Sequence, residues 1–142
     1  MREAFVPMEG VEMKPSIVIY CCANATAHPE EDVENSAGKA DIKLSLLPCS
    51  GRTDVLHMVR AIEAGADMVL VAGCPEENCR YLQGSLKAGQ RVGYANKLLS
   101  EIGLGRERVK RVVLDPDKDG AFASALEEVI ARAAELGPWL HR

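Results

Sequence analysis

Four short apolar runs alternate along the chain with four stretches of helical periodicity. That alternation predicts an α/β protein: a four-stranded parallel sheet with helices on both faces. The runs are rich in Val, Ile and Leu and nearly continuous, as expected of strands covered on both sides. Right-handed crossovers then give a small three-layer fold of flavodoxin-like or Rossmann-like type, with strand order 2-1-3-4. At 142 residues the chain has the length of one domain, and 47% apolar residues supply a core.

Residues 1–14 mix Glu, Pro, Met and Gly without periodicity and are expected to be a loose N-terminal arm. Residues 15–142 are expected to form the single domain. Its first strand is Ser16 to Cys21. An acidic stretch follows, with Pro29 in a first helical turn and Glu30, Glu31 and Asp32 near the positive end of the helix dipole. The second strand runs from Ile42 to Leu47 and stops at Pro48. Val55, Met58, Val59 and Ile62 then share one helical face, which Gly65 terminates. Asp67 to Ala72 is the third strand. Val92, Ala95, Leu99 and Ile102 make the next helical stripe, ended by Gly103 and Gly105. Val109 to Leu114 is the fourth strand. Phe122, Leu126, Val129, Ile130 and Ala133 form the last stripe, closed by Gly137 with Pro138 beyond.

Composition removes several functions. Aromatic residues make up 4% and the formal net charge is −4, so the stacking platforms and basic groove of a nucleic-acid binder are missing. No apolar run approaches the roughly 18 residues of a membrane span, and the first residues have no signal-peptide core. A cytoplasmic protein without membrane insertion is expected.

The five cysteines are Cys21, Cys22, Cys49, Cys74 and Cys79. In a reducing compartment a disulfide framework is not expected, and an odd count fits one poorly. Each cysteine falls at a strand end or in the loop that follows. Parallel strands point the same way, so these positions share one edge of the sheet, where ligands of such folds bind near the switch in strand order. Thiols from three parts of the sequence would converge there. Zinc is one candidate occupant, but only Cys74 and Cys79 resemble a zinc knuckle. An iron–sulfur cluster also takes about four thiolates and tolerates irregular spacing, which favours it. A redox dithiol ranks below both, since no Cys-x-x-Cys is present.

These blocks resemble one family. Cys21-Cys22 after a strand, Cys49-Ser50-Gly51-Arg52 with Asp54, Gly65-Ala66-Asp67 before the third strand, and Gly73-Cys74 to Cys79 with Tyr81 and Gly84 look like the delta subunit of methyl-viologen-reducing hydrogenase. The resemblance spans about Pro15 to Gly137. It implies a [2Fe-2S] cluster that passes electrons between a hydrogenase, formate dehydrogenase or other redox subunit and the flavin-containing component of heterodisulfide reductase. It also implies the ligand set Cys49, Cys74, Cys79 and one of the adjacent pair. Cys22 is preferred because it is read as lying beyond the strand, with Cys21 as the alternative. One position departs: the family's first block usually carries a third cysteine where this chain has Ala25. If that ligand were essential, the chain would be a structural adaptor without a cluster.

Other loop residues have plainer explanations beside functional ones. Backbone N–H groups of Ser50, Gly51 and Arg52 open a helix and could donate to cluster sulfides, or serve as an ordinary cap. His57 is conceivable as a ligand but is expected to be a surface residue. Arg106, Arg108, Lys110 and Arg111 read as a basic patch, either solvated or docking a partner. Asp115 and Asp117 read as turn caps. A zinc-binding scaffold and a flavin carrier remain as rivals. The stretch Ala23-Asn24-Ala25-Thr26-Ala27 is a poor flavin-phosphate loop.

Overall fold

The computed structural model describes residues 14–23, 25–26, 28–47, 54–74, 84–103, 108–114 and 120–137. Eight elements alternate: β1 (Ser16–Cys22), α1 (Pro29–Asn35), β2 (Asp41–Leu47), α2 (Val55–Glu63), β3 (Met68–Gly73), α3 (Gly84–Glu101), β4 (Val109–Val113) and α4 (Ala121–Leu136). The strands form one sheet in the order β2-β1-β3-β4. All three pairings are parallel, as the alternation requires.

Two cores cover the two faces of the sheet. On one, Ile17, Ile19 and Cys21 of β1 and Met68, Leu70 and Ala72 of β3 pack with Phe122, Leu126, Val129 and Ala133 of α4, and with Val33 of α1. On the other, Val69 and Val71 of β3 meet Met58 and Ile62 of α2 and Ala88, Val92, Ala95 and Leu99 of α3. β3 is buried at every residue. β2 is an edge strand and only half covered, with Asp41, Lys43, Ser45 and Leu46 exposed. Charged residues on such an edge oppose pairing with another chain.

The helices follow the stripes read from the sequence, with one shift. α3 begins at Gly84, ahead of its stripe, and Ala88 takes the place expected of Ile102. Ile102 falls in the turn beyond the helix and is 68% exposed. The close approach of α3 to β4 has a simple cause: a Cβ at Gly89 would lie 3.3 Å from Nε of Arg111. α2 ends as expected, with Gly65 at a φ of 114°, a conformation costly for any other residue.

The N-terminal edge of the sheet is tied by two buried polar residues. The backbone N–H of Ser16 donates to Oδ2 of Asp67 at 2.9 Å, and the N–H of Asp67 returns to the Ser16 carbonyl at 2.7 Å. Nη1 of Arg108 donates to the carbonyls of Asp67 at 3.0 Å and Gly137 at 3.2 Å, which joins β3, β4 and the end of α4. Arg108 is therefore not part of a surface basic patch; it is 5% exposed. A guanidinium has enough donors to satisfy several carbonyls at once, which is why an arginine can occupy this dry position.

The outer edge of β4 is closed by a side chain. Asn96 of α3 donates from Nδ2 to the Val109 carbonyl at 2.8 Å and accepts the Val109 N–H on Oδ1 at 3.1 Å. The amide mimics one residue of a further strand. Asn96→Ala should remove both bonds and lower stability by about 1–2 kcal/mol. Urea unfolding followed by circular dichroism checks this; an unchanged midpoint would show that solvent replaces the amide at no cost.

Candidate functional site

β1 and β3 are neighbours, and Cys21 is level with Ala72 while Cys22 is level with Leu47 of β2. Cys74 stands one residue past β3. The C-terminal ends of β1 and β3 thus carry three thiols on adjoining strands. All three are buried: Cys21 is 0%, Cys22 1% and Cys74 3% exposed. They belong to one hydrophobic cluster, which also holds Ala25. Cys49, Ser50, Gly51, Arg52, Cys79, Tyr81, Asp115 and Asp117 lie outside the described residues.

The local backbone corrects one expectation. Cys22 is the last residue of β1, not the first residue beyond it. Strict alternation would send its side chain to the α2/α3 face, opposite Cys21. It packs instead in the same cluster as Cys21, because the pleat ends there. The chain turns at once, with the Ala25 N–H donating to the Cys22 carbonyl at 3.0 Å and the Ala23 N–H to the Leu47 carbonyl at 2.8 Å. Ala25 is 1% exposed, so the position where the departure from the family pattern occurs lies inside this cluster and not on the surface.

Cys21 behaves as a core residue. Its Sγ donates to the Cys22 carbonyl at 3.4 Å. Burial pushes its thiol pKa up to about 12, with Cys22 and the Glu30 carboxylate adding to the rise. Among the described residues no group of three or more His, Cys, Asp or Glu side chains is arranged to hold a metal ion. The described thiols are three of the chain's five, and the other two, Cys49 and Cys79, lie outside the described residues. Their chemistry fits a thiolate-bound group, and completing it requires the cysteines outside the described residues.

His57 and Tyr20 form a contact that the sequence reading missed. His57 is exposed but structured: its Nδ1 accepts the Asp54 N–H at 3.2 Å, while Oδ1 of Asp54 accepts the Leu56 N–H at 3.5 Å. This is a capping box with histidine in the place of the usual Glu or Gln. The Tyr20 hydroxyl donates to the His57 carbonyl at 3.3 Å. Burial raises the Tyr20 pKa, in keeping with a protonated donor. The spacing of Asp54 and His57 was the available signal, hidden because histidine is not a customary partner in that motif.

The sequence pattern of the family described as methyl-viologen-reducing hydrogenase, delta subunit, matches residues 17–137. The chain belongs to that family. Among its relatives, the iron-sulfur subunit of the vhu F420-non-reducing hydrogenase of Methanocaldococcus jannaschii is 34% identical over 129 residues, covering 89% of this chain and 96% of the relative. Its namesake in Methanopyrus kandleri is 34% identical over 127 residues, with 87% and 96% covered. A different kind of relative comes from Methanosarcina acetivorans and is a component of its ferredoxin/F(420)H(2)-dependent CoB-CoM heterodisulfide reductase. It is 28% identical over 119 residues, which cover 84% of this chain but 14% of that protein. Sequence of the delta-subunit type thus occurs both as a small chain and as a stretch within a much larger one.

A pH consequence follows from Cys21. Its pKa is raised in the folded chain, so between about 9, the ordinary thiol value, and about 12 the unfolded chain ionises first. Stability from this burial is complete below pH 9 and is lost as pH climbs towards 12. Denaturant midpoints of the chain across that range should fall more steeply for the wild type than for Cys21→Ala. Identical slopes would mean that Cys21 is not the buried neutral thiol described here.

Proposed function

We propose that this chain is a cytoplasmic electron-transfer subunit that holds a [2Fe-2S] cluster. It would relay electrons between a hydrogenase, formate dehydrogenase or similar redox subunit and a flavoprotein like the flavin-containing component of heterodisulfide reductase. The observation that carries the reading is the placement of Cys21, Cys22 and Cys74, all buried, at the C-terminal ends of the adjacent strands β1 and β3. The relatives support it: two are named iron-sulfur subunits of a hydrogenase, and one is named as part of a heterodisulfide reductase.

Cys22, Cys49, Cys74 and Cys79 are the proposed ligands. Cys21 shares the inward face of β1 with Ile17 and Ile19 and donates to the backbone of its neighbour. Cys21 is the alternative to Cys22, and with either of them the chain has four thiols without one at position 25. The cluster would supply one-electron exchange. The chain would supply thiolates on a rigid sheet edge, a dry surrounding, and donors from Ser50, Gly51 and Arg52 that raise the potential. No helix among the described residues is long and apolar enough to cross a membrane. Docking to partners would occur through protein surfaces.

Iron and acid-labile sulfide should be found at about two of each per chain after anaerobic reconstitution, with an EPR signal on reduction. Cys74→Ser should lose most of this iron and sulfide, and Cys21→Ala should keep the spectrum. A reconstituted wild-type chain holding neither iron nor sulfide would overturn the reading. Stoichiometric zinc in a colourless chain would replace it with the scaffold role.

A further inference from the structure

The geometry points to the outer face of α3, centred on Tyr94, as the docking surface for an acidic patch on a different protein. No thiol takes part in it, so it stands apart from the cluster reading. Ala88, Val92, Ala95 and Leu99 turn one stripe of α3 into the core. The other side of the helix leaves Lys87, Gln90, Tyr94 and Lys97 exposed. Of the described aromatic residues, Phe122 is buried and Tyr20 is half covered, while Tyr94 is 55% exposed. The Tyr94 hydroxyl has no hydrogen-bond partner among the described residues. Asn96, two residues on, is turned toward β4 and occupies the strand border, so the free surface of α3 is its helix face.

A single exposed tyrosine is ordinary; the charges around this one give it a meaning. Residues three, four and seven positions apart share a helix face. Arg91 and Lys97 flank Tyr94 at three residues on either side, and Lys87 lies two turns before it. No acidic residue stands within six positions of Tyr94, and Glu101 is the first. On α2, in the same layer, exposed Arg60 and Glu63 cancel. Neither Lys87 nor Lys97 forms an ion pair among the described residues. The whole chain carries a formal net charge of −4, so this cationic face runs against its average. Tyrosine is a large, stiff, amphipathic anchor at interfaces. Cations round such an anchor steer an acidic surface onto it and fix its orientation. The complementary surface is an apolar pocket rimmed by Asp and Glu. The chain's own α1 is acidic, with Glu30, Glu31, Asp32 and Glu34. A second copy docked through α1 would join two unlike faces, a contact that does not close in a dimer and leaves both faces open on the outer copies. A different protein is the occupant that ends the contact.

The native complex, purified through a tag on the full chain, tests this. A carbodiimide joins a lysine to a carboxylate that touches it and leaves no spacer. Lys87 and Lys97 should be joined to Asp or Glu of another protein. With that protein purified, Tyr94→Ala should weaken its binding about thirtyfold, as loss of a central aromatic anchor does. Lys87→Glu combined with Lys97→Glu should weaken it about tenfold at low salt and remove most of its salt dependence. Both variants should keep the wild-type melting temperature, because the altered side chains are exposed. Tyr94→Phe keeps the ring and should keep the affinity, which separates loss of the anchor from loss of the fold. A chain that purifies alone, Lys87 and Lys97 left unjoined, their joining to a second copy, or wild-type affinity in either weakened variant would each overturn the inference.

Discussion

The hydrogen-bond register of β1, paired on both edges, is the constraint from which the site follows. β1 binds β2 on one side and β3 on the other, in parallel, over Ser16–Cys22 and Ile17–Cys21 respectively. A slip of one residue on either side would send Ile17, Ile19 and Cys21 to the opposite face of the sheet. The hydrophobic cost of that slip fixes where Cys22 and Cys74 end up. Placement of the thiols is thus a by-product of burying aliphatic side chains two and four residues upstream. Mechanical precision at the rim comes from packing in the interior.

The two ends of the sheet are built differently. At the N-terminal end, Asp67 and Arg108 are buried and tied into backbone groups of three elements. At the C-terminal end, the described buried side chains include three thiols together with Ala25, Ala72 and Leu114. Sulfur is soft and polarizable. One end is closed by directional bonds, and the other carries buried thiols.

Much of this was legible from the residues. The Val- and Ile-rich runs marked the strands, since a parallel sheet buried on both faces needs continuous apolar stretches, and β3 is buried throughout. Strand order followed because the crossover rule leaves few topologies. The stripe of α4 was visible because Phe122, Leu126, Val129 and Ala133 recur at helical spacing. What escaped were features without a periodic signature. Arg108 looks like surface charge in a run of basic residues, and only three-dimensional convergence shows that it is buried beside Asp67. The side chain of Cys22 escaped because alternation fails where a strand ends in a turn. Ile102 fitted a stripe by counting, yet the helix stops one residue earlier.

Asn96 spends its amide on a single residue of β4, and what this prevents is as informative as what it holds. A parallel sheet with an open margin invites another chain to extend it, and copies of the same chain are always the nearest supply. With Val109 already satisfied on its outer side, and charged residues along β2 at the far margin, neither border is a good template for growth. Self-stacking is discouraged at both flanks of the β-layer. Contact with other molecules is thereby steered away from the strand borders.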